Sequence, residues 1–185
     1  MRGSSSHARC HPALLPLVAA LLAGSPWGTE GEPSRLARYK AVFIYNFIEF
    51  VEWPEGRDTG PVRIGVVGES DALPSLRAIA GSRKAGTRDI VVEQMLWPAA
   101  GETPDCHILF VAASQADSVR QSLGRPRWGG VLTVGEADGL AEEGVIINFV
   151  PVQGKLRFQI NPASAQDAGL RLSSHLLKLA ILVGK

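Results

Sequence analysis

The sequence predicts an α/β protein: a single three-layer α/β/α domain on a mostly parallel sheet, with an antiparallel β-hairpin and further helices towards its C-terminus. Three observations predict it. Short β-branched runs alternate with helical patterns across residues 62–143, the order that makes βαβ units and a parallel sheet. Residues 145–161 then read as two strands around Gln153-Gly154, which is the signature of a hairpin. Finally, 185 residues with 45% hydrophobic and 20% charged content suit one globular domain. That composition argues against disorder, collagen or a coiled coil.

The first 30 residues stand apart. Arg2 and Arg9 precede an apolar run, Ala13–Ala23, and small residues follow it. A basic start, a short apolar core and small residues make a secretory signal peptide, with cleavage expected at about residues 23–31. Eleven apolar residues are too few to span a bilayer as a helix. The domain proper is therefore expected to occupy residues 31–185. The apolar run and what precedes it hold two of the 19 basic residues and none of the 18 acidic ones, so their removal leaves a net charge of −1. A nearly neutral chain argues against binding nucleic acid through phosphate contacts.

The exported part opens with "YKAVFIYNFIEFVEWP", residues 39–54. At 100° per residue, Leu36, Tyr39, Phe43, Ile44, Phe47, Ile48, Phe50 and Val51 share one broad arc. Arg35, Arg38, Tyr45, Glu49 and Glu52 take the other. This predicts an amphipathic core helix, capped by Ser34 and ended near Trp53 by Pro54. The recurring charges exclude a membrane span. "VRIGVVG" is then a buried strand, and "SDALPSLRAIAG" a helix capped by Ser70 or Asp71 and closed by Gly81. "RDIVVEQM" and "CHILFVA" are strands. "SQADSVRQSLG" is a helix ending at Gly124. "GGVLTVGE" is a strand, and "DGLAEEG" a short helical turn. In the hairpin, Leu156, Phe158 and Ile160 face one way and Arg157 and Gln159 the other. Asn161-Pro162 starts a helix closed by Gly169, and Ser173 or Ser174 caps a last helix over "SSHLLKLAILVGK".

No catalytic apparatus is visible. There is no G-x-S-x-G elbow. Ser173, Ser174 and His175 are helix neighbours that do not face one another. Glu49/Glu52 and Glu142/Glu143 read as solvated faces rather than an acid–base pair. His107 and His175 lack carboxylates or cysteines at metal-ligand spacing, so no metal and no cofactor are expected. "GVVGES" (Gly65–Ser70) joins a strand to a helix without the glycine spacing of a phosphate loop. Cys106 is the one cysteine left after the leader, so no internal disulfide is expected. Its setting reads as a buried strand start. A ligand crevice, if the chain has one, is expected at the strand C-termini, lined by the loops after Val67, Val111 and Gly135. The hairpin offers a different site. Its outward residues, Arg157 and Gln159, with Phe149 at the rim, suit a protein-binding surface.

Several segments together resemble the YfiR-like periplasmic proteins: "KAVFIYNFIEFVEWP", "VRIGVVGES", "CHILFVAAS", "GVLTVGEADGLAEEGVIINFVPVQGKLRFQIN" and "AGLRLSSHLLKLA". They occur in the family's order over about residues 36–182. The resemblance implies a non-enzymatic, periplasmic regulator. Its partner would be the periplasmic part of an inner-membrane GGDEF diguanylate cyclase, held inactive so that cyclic di-GMP stays low and biofilm behaviour is suppressed. A sensor histidine kinase is the alternative partner. The resemblance also implies release through an outer-membrane lipoprotein or redox stress, and a homodimer is compatible with it. Phe149, Arg157, Gln159 and Asn161 are the residues it places on the partner surface. This chain departs from the best-known member in keeping only Cys106, and in carrying Gln159 where glutamate is common.

Overall fold

The computed structural model describes residues 33–122 and 128–184. The expected signal peptide, Cys10 and the expected helix end at Gly124 lie outside them. Helix α1 (Arg35–Phe50) begins at Ser34, whose hydroxyl accepts from the Ala37 N–H. It is followed by β1 (Val51–Glu52), β2 (Val62–Val67), α2 (Leu73–Ser82), β3 (Ile90–Met95) and β4 (Ile108–Val111). A 3₁₀ turn, Ala113–Gln115, leads into α3 (Ala116–Gln121). Then come β5 (Leu132–Gly135), β6 (Ile147–Val152), β7 (Lys155–Ile160), α4 (Pro162–Asp167), β8 (Arg171–Leu172), α5 (Ser174–Leu179) and β9 (Ile181–Leu182).

The main sheet has the order β3-β2-β4-β5-β6-β7-β9. Strands β3 to β6 are mutually parallel, β7 is antiparallel to β6, and β9 runs parallel to β7. The predicted fold class holds, with helices flanking a mostly parallel sheet. Alternation splits the sheet's side chains into two cores. Ile64, Val66, Ile108, Phe110, Leu132, Val134 and Ile147 pack under α1, α2, α4 and α5. Val67, Leu109, Val111 and Leu140 pack with Ala116 and Val119 of α3 on the other face.

Several boundaries differ from the sequence expectation, each for a physical reason. Helix α1 ends at Phe50, not near Trp53. Proline restrains only the residue before it, whereas Val51 and Glu52 gain a strand partner in Leu172 and Arg171. The Ser173 N–H also takes the Phe50 carbonyl that the helix end leaves free, at 2.9 Å. Gly81 lies inside α2, which runs to Ser82. The expected helical turn over residues 138–144 is a string of turns, with Gly139 and Gly144 in the left-handed region. The last helix stops at Leu179. "AILV" instead reaches β7, where Val183 N–H bonds the Ile160 carbonyl at 2.9 Å, so β9 rather than the hairpin forms the sheet edge. The hairpin turn is as expected: Gln153 (φ 50°) and Gly154 (φ 74°) form the left-handed pair of a type I′ turn.

Trp53 packs edge-on against His107, whose ring closes the bottom of the sheet, beneath the N-terminal ends of the parallel strands. His107 Nδ1 accepts from the Arg63 N–H at 3.1 Å. Its Nε2 lies 2.9 Å from the Arg57 carbonyl and 2.9 Å from the Arg88 guanidinium. Burial lowers its pKa, the Arg57 carbonyl opposes this, and the charges of Arg88 and Arg57 lower it further. Protonation would also turn Nδ1 into a donor facing a donor. The folded pKa thus lies below the unfolded one, so the unfolded chain binds the extra proton. Stability from this site is complete above about pH 6.5 and is lost as pH falls through the depressed folded value. Urea titrations between pH 7.5 and 5.5 are expected to show wild-type stability falling more steeply than that of His107→Gln. Equal slopes would exclude the linkage.

Candidate functional site

The hairpin presents two faces of opposite character. On the helix side, Phe149 and Phe158 join Phe43, Phe47 and Phe110 in one aromatic cluster. Ring centroids are 5.4 Å apart for Phe47–Phe158, 5.7 Å for Phe43–Phe158 and 6.0 Å for Phe47–Phe149. Phe149 and Phe158 are buried. The cluster binds α1 to the hairpin and makes this end of the sheet rigid.

The opposite face is polar and partly roofed by residues 137–144. Asn148 is fully buried and donates to the Ala137 carbonyl at 2.8 Å. It also donates more weakly to Gln159 Oε1 at 3.4 Å. Gln159 in turn donates to Glu142 at 3.1 Å. Asn161 caps α4 through Ser164 N–H and sends its amide to the Ala141 carbonyl at 2.8 Å. Among the described residues Asn148 Oδ1 has no partner; it faces Gly135, where an added Cβ would approach it to 2.9 Å. These bonds replace the helix-internal ones that the turn residues do not make.

The four residues expected on a partner surface are therefore divided. Arg157 is exposed, and its guanidinium donates to the Leu179 carbonyl at 3.3 Å. Gln159 is half-buried and engaged with Glu142. Phe149 and Asn161 are buried in the core and in the helix cap, so neither lies at a rim. The physical reason lies in the neighbours. Period-two alternation fixes which face Phe149 takes, but only the packed partner shows whether that face is covered, and α1 covers it.

The site reads differently around α1. Leu36 and Tyr39 were expected on its buried arc, yet each is 46% exposed, as is Val42. Burial instead follows Ala37, Ala41, Ile44, Phe47 and Ile48. The two alanines let the helix sit close on the sheet. An ion pair fixes its rotation: Lys40 Nζ lies 2.7 Å from Glu136 just after β5, and Glu136 Oε1 also accepts from the Ala113 N–H at 3.2 Å. Both side chains are largely buried. Burial works against the Lys40 ammonium, but the hydrogen bond and charge of Glu136, with Asp71 nearby, outweigh it and hold the pKa above its ordinary value. Wheel geometry alone does not distinguish these outcomes. The alanine pair was the available signal.

Concavities lie towards the β3–β2 side of the main sheet, away from the hairpin. A cleft of about 630 Å³ lies at the C-terminal ends of β2 and β3, lined by Gly68, Glu69, Gln94, Met95, Trp97 and Gln115 among others. The loop after Val67 and the turn after Val111 contribute, as expected for such a crevice. The loop after Gly135 does not, because Glu136 is turned towards Lys40. A smaller hollow of about 300 Å³ lies near Trp53 and Arg88. Among the described residues, no group of three or more His, Cys, Asp or Glu is placed to hold a metal, and no helix is long and apolar enough to cross a membrane. Cys106 is buried and unpaired. Desolvation pushes its thiol up to about 12, so it stays protonated and unreactive in the folded chain.

No curated protein matches the chain. The family model described as YfiR/HmsC-like matches residues 37–181, which spans α1 through β9 and includes both the aromatic cluster and the hairpin. The chain belongs to the YfiR/HmsC-like family.

Proposed function

We propose that this chain is an exported, non-enzymatic regulator that binds the periplasmic part of an inner-membrane GGDEF diguanylate cyclase and holds it inactive. The observation that carries the reading is family membership over nearly the whole of the domain. The signal-peptide pattern of residues 1–30 supports export to the periplasm. The exposed Arg157 on the rigid hairpin supports a protein partner, because arginine is favoured at the centres of such contacts. A regulator of this kind acts by binding the off state of its partner better than the on state. Driving a partner from mostly on to mostly off takes about 5 kcal/mol of differential affinity. Deleting the gene in the host is expected to raise cyclic di-GMP, and restoring the wild-type chain to lower it again. An unchanged level would defeat the cyclase assignment and move the partner to another sensor, such as a histidine kinase.

A second reading rests on the cleft of about 630 Å³. It lies beside the point where strand order reverses between β2 and β4, the usual ligand position in open α/β sheets. A small molecule bound there would make the chain a ligand sensor, and the two roles are compatible. Binding only to the native state raises the melting temperature. A metabolite panel that shifts no melting temperature would remove the second reading.

A further inference from the structure

The two edges of the main sheet are finished differently. At one, β9 covers Gln159 and Ile160 of β7, and the exposed Lys155 and Arg157 stand on what is left. Short strands and charged side chains are usual means of keeping an edge from pairing. At the other edge, β3 runs for six residues without a proline and with one charge, Glu93. Arg63 of the neighbouring β2 lies 3.3 Å from that carboxylate. Val91 and Val92 are half-buried, and Leu96, which follows the strand, is 90% exposed, the most exposed large apolar side chain among the described residues. Among those residues no strand pairs with the outer side of β3.

The strand register fixes which groups this edge offers. The Asp89 carbonyl accepts from the Val62 N–H at 2.8 Å, so the odd-numbered residues of β3 turn their backbone groups towards β2. The N–H and C=O of Ile90, Val92 and Gln94 therefore point outward. Residues 96–99 make no turn, so the outward series continues to Leu96. Side chains alternate as well. Val92 and Leu96 take the α2 side of the sheet, and Val91, Glu93, Met95 and Trp97 the other, where Met95 and Trp97 join the core under α3. Antiparallel pairing of β3 with a copy of itself about a dyad at Gln94 suits this pattern. Gln94 then faces Gln94 of the copy, and Val92 faces Leu96, both as hydrogen-bonded pairs. On the opposite side of the sheet Val91 meets Trp97, and Glu93 falls beside Met95. A dyad at Glu93 would oppose two carboxylates, and one at Val92 would set Val91 against Glu93 and Leu96 against Arg88.

We infer that β3 is the edge through which two copies of this chain form a two-fold dimer, paired antiparallel about Gln94. A second copy is favoured over an extended segment of another protein because the strand is its own complement. Val91 and Val92 both meet apolar side chains, the outward N–H and C=O groups are satisfied reciprocally, and no like charges face each other. The pairing also gives Leu96 the neighbour that its own chain does not supply. It reaches the cleft of about 630 Å³ too, since Gln94, Met95, Leu96 and Trp97 line it. Val91 of the second copy, opposite Trp97, closes part of that wall. The inference rests on neither the cyclase assignment nor a bound ligand.

Two measurements test it. Sedimentation velocity of the chain purified from its host, over a series of concentrations, is expected to show a monomer–dimer equilibrium. Leu96→Asp is expected to weaken dimerisation by on the order of tenfold or more. Leu96 is exposed, so the variant is expected to fold, with an unchanged urea midpoint at concentrations where both chains are monomeric. The second measurement reads the register, in a Cys10→Ser background where the buried Cys106 is the one native thiol left. Hydrogen-bonded antiparallel neighbours lie about 5.5 Å apart at Cα, within reach of a disulfide, whereas the two Val92 residues would be about 14 Å apart. Mild oxidation is therefore expected to link Gln94→Cys into a covalent dimer and to leave Val92→Cys unlinked. A monomer at every concentration overturns the inference. So does a dimer that Leu96→Asp leaves unchanged, which would place the contact elsewhere, or faster linking at Val92→Cys than at Gln94→Cys.

Discussion

Lys40→Met is expected to destabilise the protein by about 3 kcal/mol, because it strands a buried carboxylate. Glu136 lies 2.7 Å from the Lys40 ammonium and its side chain is only 8% exposed. Its other oxygen accepts the Ala113 N–H, so the carboxylate cannot turn out to water without breaking that bond as well. Asp71, at 3.4 Å and half exposed, contributes much less. The double variant Lys40→Met/Glu136→Gln is expected to recover part of the loss, since a neutral amide needs no counter-charge and can still accept from Ala113. Urea denaturation of the four members of this cycle measures the coupling. A loss below about 0.5 kcal/mol for the single variant would class the pair as an ordinary surface ion pair.

Phe47→Ala is expected to cost about 3–5 kcal/mol. Phe47 is 1% exposed and contacts the rings of Phe43, Phe149 and Phe158. Removing it leaves a cavity at the junction of α1, β6 and β7, and the rigid strand pair β6–β7 limits collapse into it. Phe47→Leu, which keeps most of the volume, is expected to lose less than half as much. Both are read from urea midpoints at constant m-value. Equal losses for Ala and Leu would mean that ring-to-ring geometry, rather than filled volume, stabilises the junction.

Much of the fold was legible because local patterns and tertiary packing agree. The strands β2, β4 and β5 are short β-branched runs buried on both faces, and such runs have few alternatives. Asn161-Pro162 and Ser173 cap helices where expected, because a side chain that satisfies a free N–H works without help from the rest of the fold. The failures cluster where two local solutions have similar energy. Val51–Glu52 and Ile181–Leu182 are β-branched or flexible ends that extend a helix or pair as strand, and a distant edge decided for strand in both cases.

The candidate site follows the same division. The sequence by itself determined the family, the inward alternation of Leu156, Phe158 and Ile160, the hairpin around Gln153-Gly154 and the exposure of Arg157, since each depends on neighbours along the chain. Tertiary structure alone decided the rest. It buried Phe149 under α1, engaged Gln159 with Glu142, and placed Asn161 beneath the 137–144 turns. It also turned α1 so that two alanines face the sheet while Leu36 and Tyr39 face outward. The physical reason is that periodicity specifies an angle around an element, whereas burial depends on what the fold places at that angle. For α1, that was settled by an ion pair between residues 96 positions apart.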